Sequence, residues 1–288
     1  MRKVFTIATS VVAITCLGMV TAMTASAAVK PVYSSLPKAS VPNLPSLGVE
    51  AYSFNEIGDQ VKLAGKARHL SSVKVTLSDW ACQTGGTSST TVGGVENTTS
   101  NCVTDPGSHF KTAVTLNIYA AGVAGSSPGE TVPGELLKTV TRTFAIPFRP
   151  TVSNRCTTTN STGGKDAGPW YDAKTKTCYN GFAHTIVFAH MGKTTLPGTV
   201  VYGISYNSDN SGPNPIGGSG SPTDSLNVAL NTAVTAGSQV TPGGIWWDTR
   251  YAGFADGPPF VTGEFNLDGP NGAANWDGYI PAVQINAS

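Results

Sequence analysis

The chain has 288 residues, of which 12% are charged, and its 18 lysines and arginines nearly balance its 17 aspartates and glutamates. Such a charge pattern provides no broad basic surface for a phosphate backbone, so we do not expect nucleic acid as a partner. The length fits one large domain or two small ones. Because we find no internal repeat and no clear linker, we predict a single domain over residues 48–288.

The first 27 residues have the pattern of a cleavable signal peptide. Arg2 and Lys3 precede an apolar run, and Ala25-Ser26-Ala27 fits the small-x-small cleavage rule. The alternative is a membrane anchor, but threonines and a serine interrupt the run, which is short for a span of roughly 20 apolar residues. We therefore expect a secreted, extracellular protein with no membrane attachment after cleavage. Loss of Arg2 and Lys3 would leave 16 basic and 17 acidic residues, a net charge of −1.

Residues 28–47 form a proline-rich lead-in. Prolines at positions 31, 37, 42 and 45 block ladder hydrogen bonds and favour an extended chain. We expect this segment to lie on the surface or to supply one edge strand.

Short runs with period-two alternation follow the lead-in. Val73, Val75 and Leu77 share one face of a strand, and the same pattern recurs from Val114 to Tyr119. Other strand candidates lie around residues 49–54, 60–65, 137–147, 182–191, 199–207, 225–231, 244–248, 261–267 and 279–285.

These runs make about eleven strands, and no window has an apolar stripe of helical period long enough for a major helix. The pattern predicts an all-β protein with an antiparallel β-sandwich, for which the jelly-roll is one candidate topology. Three polar, glycine-rich regions, residues 83–101, 157–177 and 208–223, are predicted to be long loops.

Four cysteines remain after the expected cleavage: Cys82, Cys102, Cys156 and Cys178. An even number suits an oxidising compartment, and four cysteines allow three pairings. We favour Cys82 with Cys102 and Cys156 with Cys178, because each pair brackets a polar segment that has few apolar residues to hold it down. Each bridge would contribute on the order of 3 kcal/mol. Zinc ligation is the weaker alternative, since neither pair has the C-x-x-C spacing.

The carboxylates offer one weak catalytic candidate. A glycosidase needs two of them across a cleft, one neutral and one ionised. Glu264 lies within a strand pattern, and Asp248 lies on a nearby aromatic strand. The better interpretation is that both carboxylates face solvent or form turns. We therefore expect no catalytic residue.

Calcium is a separate candidate, because extracellular sandwiches often use it to hold loops in place and it needs only carboxylate and carbonyl ligands. The carboxy-terminal region carries Asp248, Asp256, Asp268 and Asp277. Asp and Asn before Gly are also what turns require, so the expectation is no metal and no cofactor, with a structural calcium as the exception to test.

Aromatic residues give the best indication of recognition. Trp246, Trp247, Tyr251 and Trp276 fall within one stretch, and the two adjacent tryptophans must point to opposite faces of a strand. An exposed indole beside Asp and Asn side chains could stack on a sugar ring. The alternative is that these rings pack at the ends of the core, as large rings mostly do.

Several segments resemble a known group of proteins: Gly65-Lys-Ala-Arg68, the run from Ser72 to Cys82, Leu116-Asn-Ile-Tyr119, Phe144-Ala-Ile-Pro-Phe-Arg-Pro150, Trp170-Tyr-Asp172, Cys178-Tyr-Asn-Gly-Phe182, Val201-Tyr-Gly-Ile-Ser-Tyr-Asn207 and Asp224-Ser-Leu-Asn-Val228. Together they are similar to a group of uncharacterised secreted bacterial β-sandwich proteins of unknown function. The resemblance covers most of the chain after the signal peptide. It implies export and a sandwich fold, and it implies no activity and no functional residues.

Three functional classes follow. The first is a secreted, non-catalytic protein that binds a polysaccharide or another cell-envelope component. The second is an extracellular glycan hydrolase, which would need Glu264 and Asp248 to meet in a cleft. The third is a structural or protein-interaction module, for which a sheet edge or an aromatic patch would suffice.

Overall fold

The computed structural model describes residues 28–48, 54–84, 102–125, 130–159, 165–167, 169–192, 194–206, 226–249, 265–268 and 278–288. Regular structure in these ranges is entirely β-strand, as the alternation predicts. The strands are β1 (Lys30–Ser34), β2 (Ser46–Gly48), β3 (Phe54–Lys62), β4 (Leu70–Asp79), β5 (His109–Ala120), β6 (Val123–Ala124), β7 (Glu130–Val132), β8 (Leu136–Pro147), β9 (Thr157–Thr159), β10 (Lys165–Ala167), β11 (Trp170–Asp172), β12 (Thr177–Tyr179), β13 (Phe182–Phe188), β14 (Thr199–Tyr206), β15 (Leu226–Asn231), β16 (Ser238–Gln239), β17 (Ile245–Thr249), β18 (Phe265–Asp268), β19 (Ile280–Pro281) and β20 (Val283–Ala287).

Two large antiparallel sheets form the molecule. The smaller sheet has the order β1-β20-β4-β15-β19, with β13 on the other edge of β4 and β2 beside β15. The larger sheet has the order β6-β7-β18-β17-β3-β14-β5-β8, with β16 also paired to β3. The strands β9 with β10 and β11 with β12 form two separate hairpins.

The two sheets pack face to face around one apolar core, so the fold is a β-sandwich. Val73, Val75 and Leu77 of β4 belong to the same buried cluster as Leu116 and Ile118 of β5. Phe188 of the smaller sheet meets Phe144 of the larger one, with ring centroids 5.0 Å apart. Alternation along β4 and β5 therefore places these side chains on the core face of each strand, as predicted. In the second half of β4 the outward residues Thr76 and Ser78 are buried as well. The jelly-roll topology stays a prediction.

The proline-rich lead-in begins with a strand that belongs to the smaller sheet. β1 pairs with β20, and its Val32 and Tyr33 are fully buried. Tyr33 also faces Tyr202 of the larger sheet, with ring centroids 6.1 Å apart. An edge strand near the start of the lead-in thus contributes side chains to the core between the sheets.

Two sequence-based boundaries are wrong. Residues 55–59, which lie between the predicted strands 49–54 and 60–65, are themselves strand, because β3 runs without a break from Phe54 to Lys62. Residues 49–53 of the first of these two predicted strands lie outside the described residues. The region 157–177, predicted to be loop, contains β9, β10 and β11. Short hairpins there satisfy the backbone of a polar segment without needing an apolar face.

Both predicted disulfides are confirmed. Cys82 is bonded to Cys102, with Cα atoms 5.3 Å apart, and Cys156 to Cys178, with Cα atoms 5.7 Å apart. The bridges are consistent with an extracellular location, since disulfides persist in oxidising compartments. Within the ranges given above, no helix is long and apolar enough to cross a membrane.

Candidate functional site

The outward face of the larger sheet carries a carboxylate that sequence reasoning passed over. In β3, Ile57 and Val61 face the core, so Glu56, Gly58 and Gln60 point outward. The side chain of Glu56 is nevertheless only 9% exposed. A carboxylate buried on the outward face of a sheet requires partners, because burial without hydrogen bonds is costly.

Both carboxyl oxygens of Glu56 receive a hydrogen bond from β5. The Asn117 amide donates to Oε1, and the Tyr119 hydroxyl donates to Oε2 at 2.8 Å. Burial raises the pKa of Glu56, and the two hydrogen bonds oppose that shift in part. The pKa of Tyr119 is also raised, by burial first and then by the negative charge of Glu56. The three side chains therefore form one coupled unit.

Glycines allow this unit to lie against the sheet. Gly203 of β14 lies between β3 and β5, and a Cβ there would be 2.8 Å from Oε1 of Glu56. Gly58 is the register partner of Gly203, and a Cβ on Gly58 would overlap the carbonyl oxygen of Tyr202. The pair leaves a floor without side chains, over which the carboxyl group of Glu56 reaches β5.

A second carboxylate stands on the neighbouring strand. Asp248 of β17 is the register partner of Glu56 and is 5% exposed. Directly opposite residues in an antiparallel pair have Cβ atoms about 5 Å apart. The Asn55 amide donates to Oδ2 of Asp248 at 3.4 Å. Asp248, predicted as one half of an acid pair, thus faces Glu56.

Hydroxyl groups continue this polar surface toward the sheet edge. Thr139, Thr141 and Thr143 of β8 are exposed, and the hydroxyl of Thr141 lies 2.7 Å from that of Thr115 on β5. We call the set Asp248, Glu56, Thr115, Asn117, Tyr119, Thr139, Thr141 and Thr143 the outer polar strip. Its side chains become more exposed from Glu56 toward β8.

An apolar cluster borders the strip. Val201, Trp246 and Phe265 pack together on the outward face, with Tyr119 and Leu267 against them. Tyr119 and Phe265 meet edge to face with ring centroids 6.4 Å apart. Tyr119 therefore joins the apolar cluster to the outer polar strip.

The predicted tryptophans do face opposite sides of β17, but neither offers an exposed ring. Trp247 lies in the core at 1% exposure, and Trp246 lies in the outward cluster at 5%. The expectation of an exposed indole at this pair is therefore wrong, because the outward face is covered as well. Their role in binding stays a prediction. Tyr251, Trp276 and Glu264 lie outside the described residues.

The described residues contain no group of three or more histidine, cysteine, aspartate or glutamate side chains that could hold a metal ion. Asp256 and Asp277, two of the candidates for calcium, lie outside them. A third candidate for calcium binding, Asp248, accepts a hydrogen bond from the Asn55 amide.

Sequence reasoning missed Glu56 for an identifiable reason. The run Asn55-Glu-Ile-Gly-Asp59 contains the residues of a turn, and it lies between the two predicted strands at residues 49–54 and 60–65. The signal that could have found it is a strand interpretation of residues 54–62, in which Glu56, Gly58 and Gln60 alternate with Ile57 and Val61.

Comparison with known protein families, with curated proteins and with solved structures finds no match to this chain.

Proposed function

We propose that the protein is exported and binds a neutral, hydroxyl-rich polysaccharide of the cell envelope or its surroundings along the outer polar strip. The signal-peptide pattern and the two disulfides support export. The observation that carries the proposal is the Glu56 carboxyl group held between Asn117 and Tyr119 on an outward sheet face.

The outer polar strip suits sugar hydroxyls because it combines hydrogen-bond acceptors with hydroxyl groups that can both donate and accept. The Asn117 carbonyl oxygen and the Tyr119 phenol oxygen can accept from a ligand while their hydrogens go to Glu56. The three exposed threonines of β8 can both donate and accept. In this arrangement Glu56 is a positioning residue, since it is mostly buried and orients the two half-exposed side chains.

The test is binding of the oxidised protein to a panel of insoluble neutral polysaccharides and a glycan array. We expect saturable binding, and we expect Asn117→Ala to weaken the affinity by about tenfold. A change of this size corresponds to the loss of one or two hydrogen bonds. The matched control is Thr177→Val, on the β11–β12 hairpin and outside the strip. Binding to none of these glycans by the folded protein, or equal loss in both variants, would reject the proposal.

A glycan hydrolase is the second candidate, and the pairing of Glu56 with Asp248 favours it. Burial raises the pKa of Glu56, which suits a general acid, while a second carboxylate lies one strand away. Release of reducing ends from a bound polysaccharide, abolished by Glu56→Gln and by Asp248→Asn, would replace the binding proposal. Binding without any product would support it.

A further inference from the structure

A groove of about 450 Å³ lies on the opposite side of the sandwich, between the proline-rich lead-in and the outward face of the smaller sheet. Leu36, Pro37, Val41 and Leu44 belong to one wall, and β4 and β13 supply the floor. The volume is within the range of small-ligand sites, which run from about 300 to 1,000 Å³. It would accommodate one or two sugar rings.

The floor of the groove presents hydrogen-bond donors. Thr76 of β4 and Thr185 of β13 are register partners, and their hydroxyl oxygens lie 2.8 Å apart. The N–H of Thr76 donates to Ala282, on the side away from β13. The pair is therefore one of the non-hydrogen-bonded positions of the ladder, and the N–H of Thr185 points toward the free edge of β13.

A second hydrogen bond supports this orientation of β13. Residue Ala183, two positions before Thr185, donates its N–H to Pro42 of the lead-in. Backbone groups of alternate residues point to the same side of a strand. The backbone donor of Thr185 therefore faces the side on which the lead-in lies.

The charge of the groove is positive. Lys74 lies on the same outward face of β4 as Thr76, two residues along the strand, and it is one of the residues that line the groove. His184 is also a lining residue, but its side chain points to the same side of β13 as the core residue Ile186, and burial lowers its pKa and so favours its neutral form. None of the described residues that line the groove carries a carboxylate.

We propose that this groove binds a uronate, the carboxylate-bearing sugar unit of acidic polysaccharides, with its carboxylate on Lys74 and the Thr185 donors and its ring against Pro37 and Val41. An ammonium with neutral donors and no competing carboxylate favours an anion. The apolar wall matches the face of a sugar ring. The proposal takes its ligand class from the proposed function, but it concerns a separate site on the other sheet.

Calorimetric titration with a galacturonate disaccharide and with its methyl ester tests the proposal. The ester keeps the size and the hydroxyls but removes the charge. We expect the acid to bind at least about tenfold more tightly than the ester, since hydrogen bonds between charged groups are the strong ones. Equal binding of the two, or no binding of the acid, would overturn the proposal.

Variants locate the site. Lys74→Gln should weaken binding of the acid at least about tenfold, and Thr185→Val should weaken it several-fold. Lys66→Gln, an equal charge change at an exposed turn, should leave it unchanged. An unchanged affinity in Lys74→Gln would overturn the proposal, as would inorganic phosphate binding as tightly as the uronate.

Asn117→Ala separates this site from the proposed function. That substitution changes the outer polar strip on the larger sheet and leaves the groove intact, so uronate binding should be unaffected. Failure of neutral polysaccharides to bind, with uronate binding retained, would reject the proposed function alone. The reverse result would reject the groove alone.

Discussion

At the scale of single residues, Gly203 determines how closely the carboxyl group of Glu56 can approach the sheet, and Gly58 determines how closely β3 can approach β14. They are register partners on β3 and β14, yet a side chain would meet different obstacles at the two positions. At Gly58 the obstacle is the Tyr202 carbonyl group, which is part of the backbone. At Gly203 it is the far end of the Glu56 side chain, which can rotate away.

We therefore expect Gly58→Ala to lower the free energy of unfolding by about 3 kcal/mol, because a sheet backbone must move to accept the methyl group. Gly203→Ala should cost less, about 1 to 2 kcal/mol, because the backbone need not move and the cost is the weakening of the hydrogen bonds to the displaced Glu56 carboxyl group. Denaturant unfolding of both variants measures the difference. An equal loss of unfolding free energy in the two variants would contradict this prediction.

Residue detail also explains what the sequence could and could not predict. β4 and β5 were recognisable because each has three successive core positions with aliphatic side chains, Val73, Val75 and Leu77 in β4 and Val114, Leu116 and Ile118 in β5. β3 was not, because Asp59 occupies a core position and Gly58 an outward one, and both residues are typical of turns. Alternation could not decide between an exposed and a buried Trp246, since it assigns a face to a side chain but does not say whether that face is covered.

At the scale of elements, the two disulfides secure parts of the chain with little apolar surface. Their cysteines nevertheless differ in exposure. Cys82 and Cys102 are 2% and 0% exposed, whereas Cys178 lies on the exposed strand β12. Thiol–disulfide exchange requires that a thiolate reach one of the two sulfurs.

Mild reduction should therefore open Cys156–Cys178 first and leave Cys82–Cys102 intact. Alkylation of the released thiols followed by mass spectrometry identifies which pair has reacted at each reductant concentration. Loss of Cys82–Cys102 at lower reductant concentration would show that exposure does not control access. The fully reduced protein should lose on the order of 3 kcal/mol of stability per bridge.

At the scale of the whole molecule, three buried carboxyl groups act on stability in the same direction. Burial raises the pKa of Glu56, of Asp59 and of Asp79. Hydrogen bonds reduce each shift without cancelling it, as when the Gln239 amide donates to Asp59 at 2.7 Å. Each group binds its proton more readily in the folded state than in the unfolded state.

Such groups make the fold more stable at acidic pH. Their contribution is fully present below the unfolded pKa, near 4, and is lost as the pH rises through the folded pKa. We expect the melting temperature to rise as the pH falls from 7 toward about 4, and Asp59→Asn to flatten this dependence. A melting temperature that falls steadily on acidification would contradict the prediction.

The position of β20 also bears on when the protein can fold. This strand lies between β1 and β4, so the smaller sheet joins the first and last described strands of the chain. During synthesis, β4 emerges long before residues 283–287 are available to pair with it. The smaller sheet therefore closes only after the last strand has emerged, and until then Val73 and Val75 must be kept from other partners. Pairings of such long sequence separation form slowly, so closure of the smaller sheet is expected to be a late step of folding.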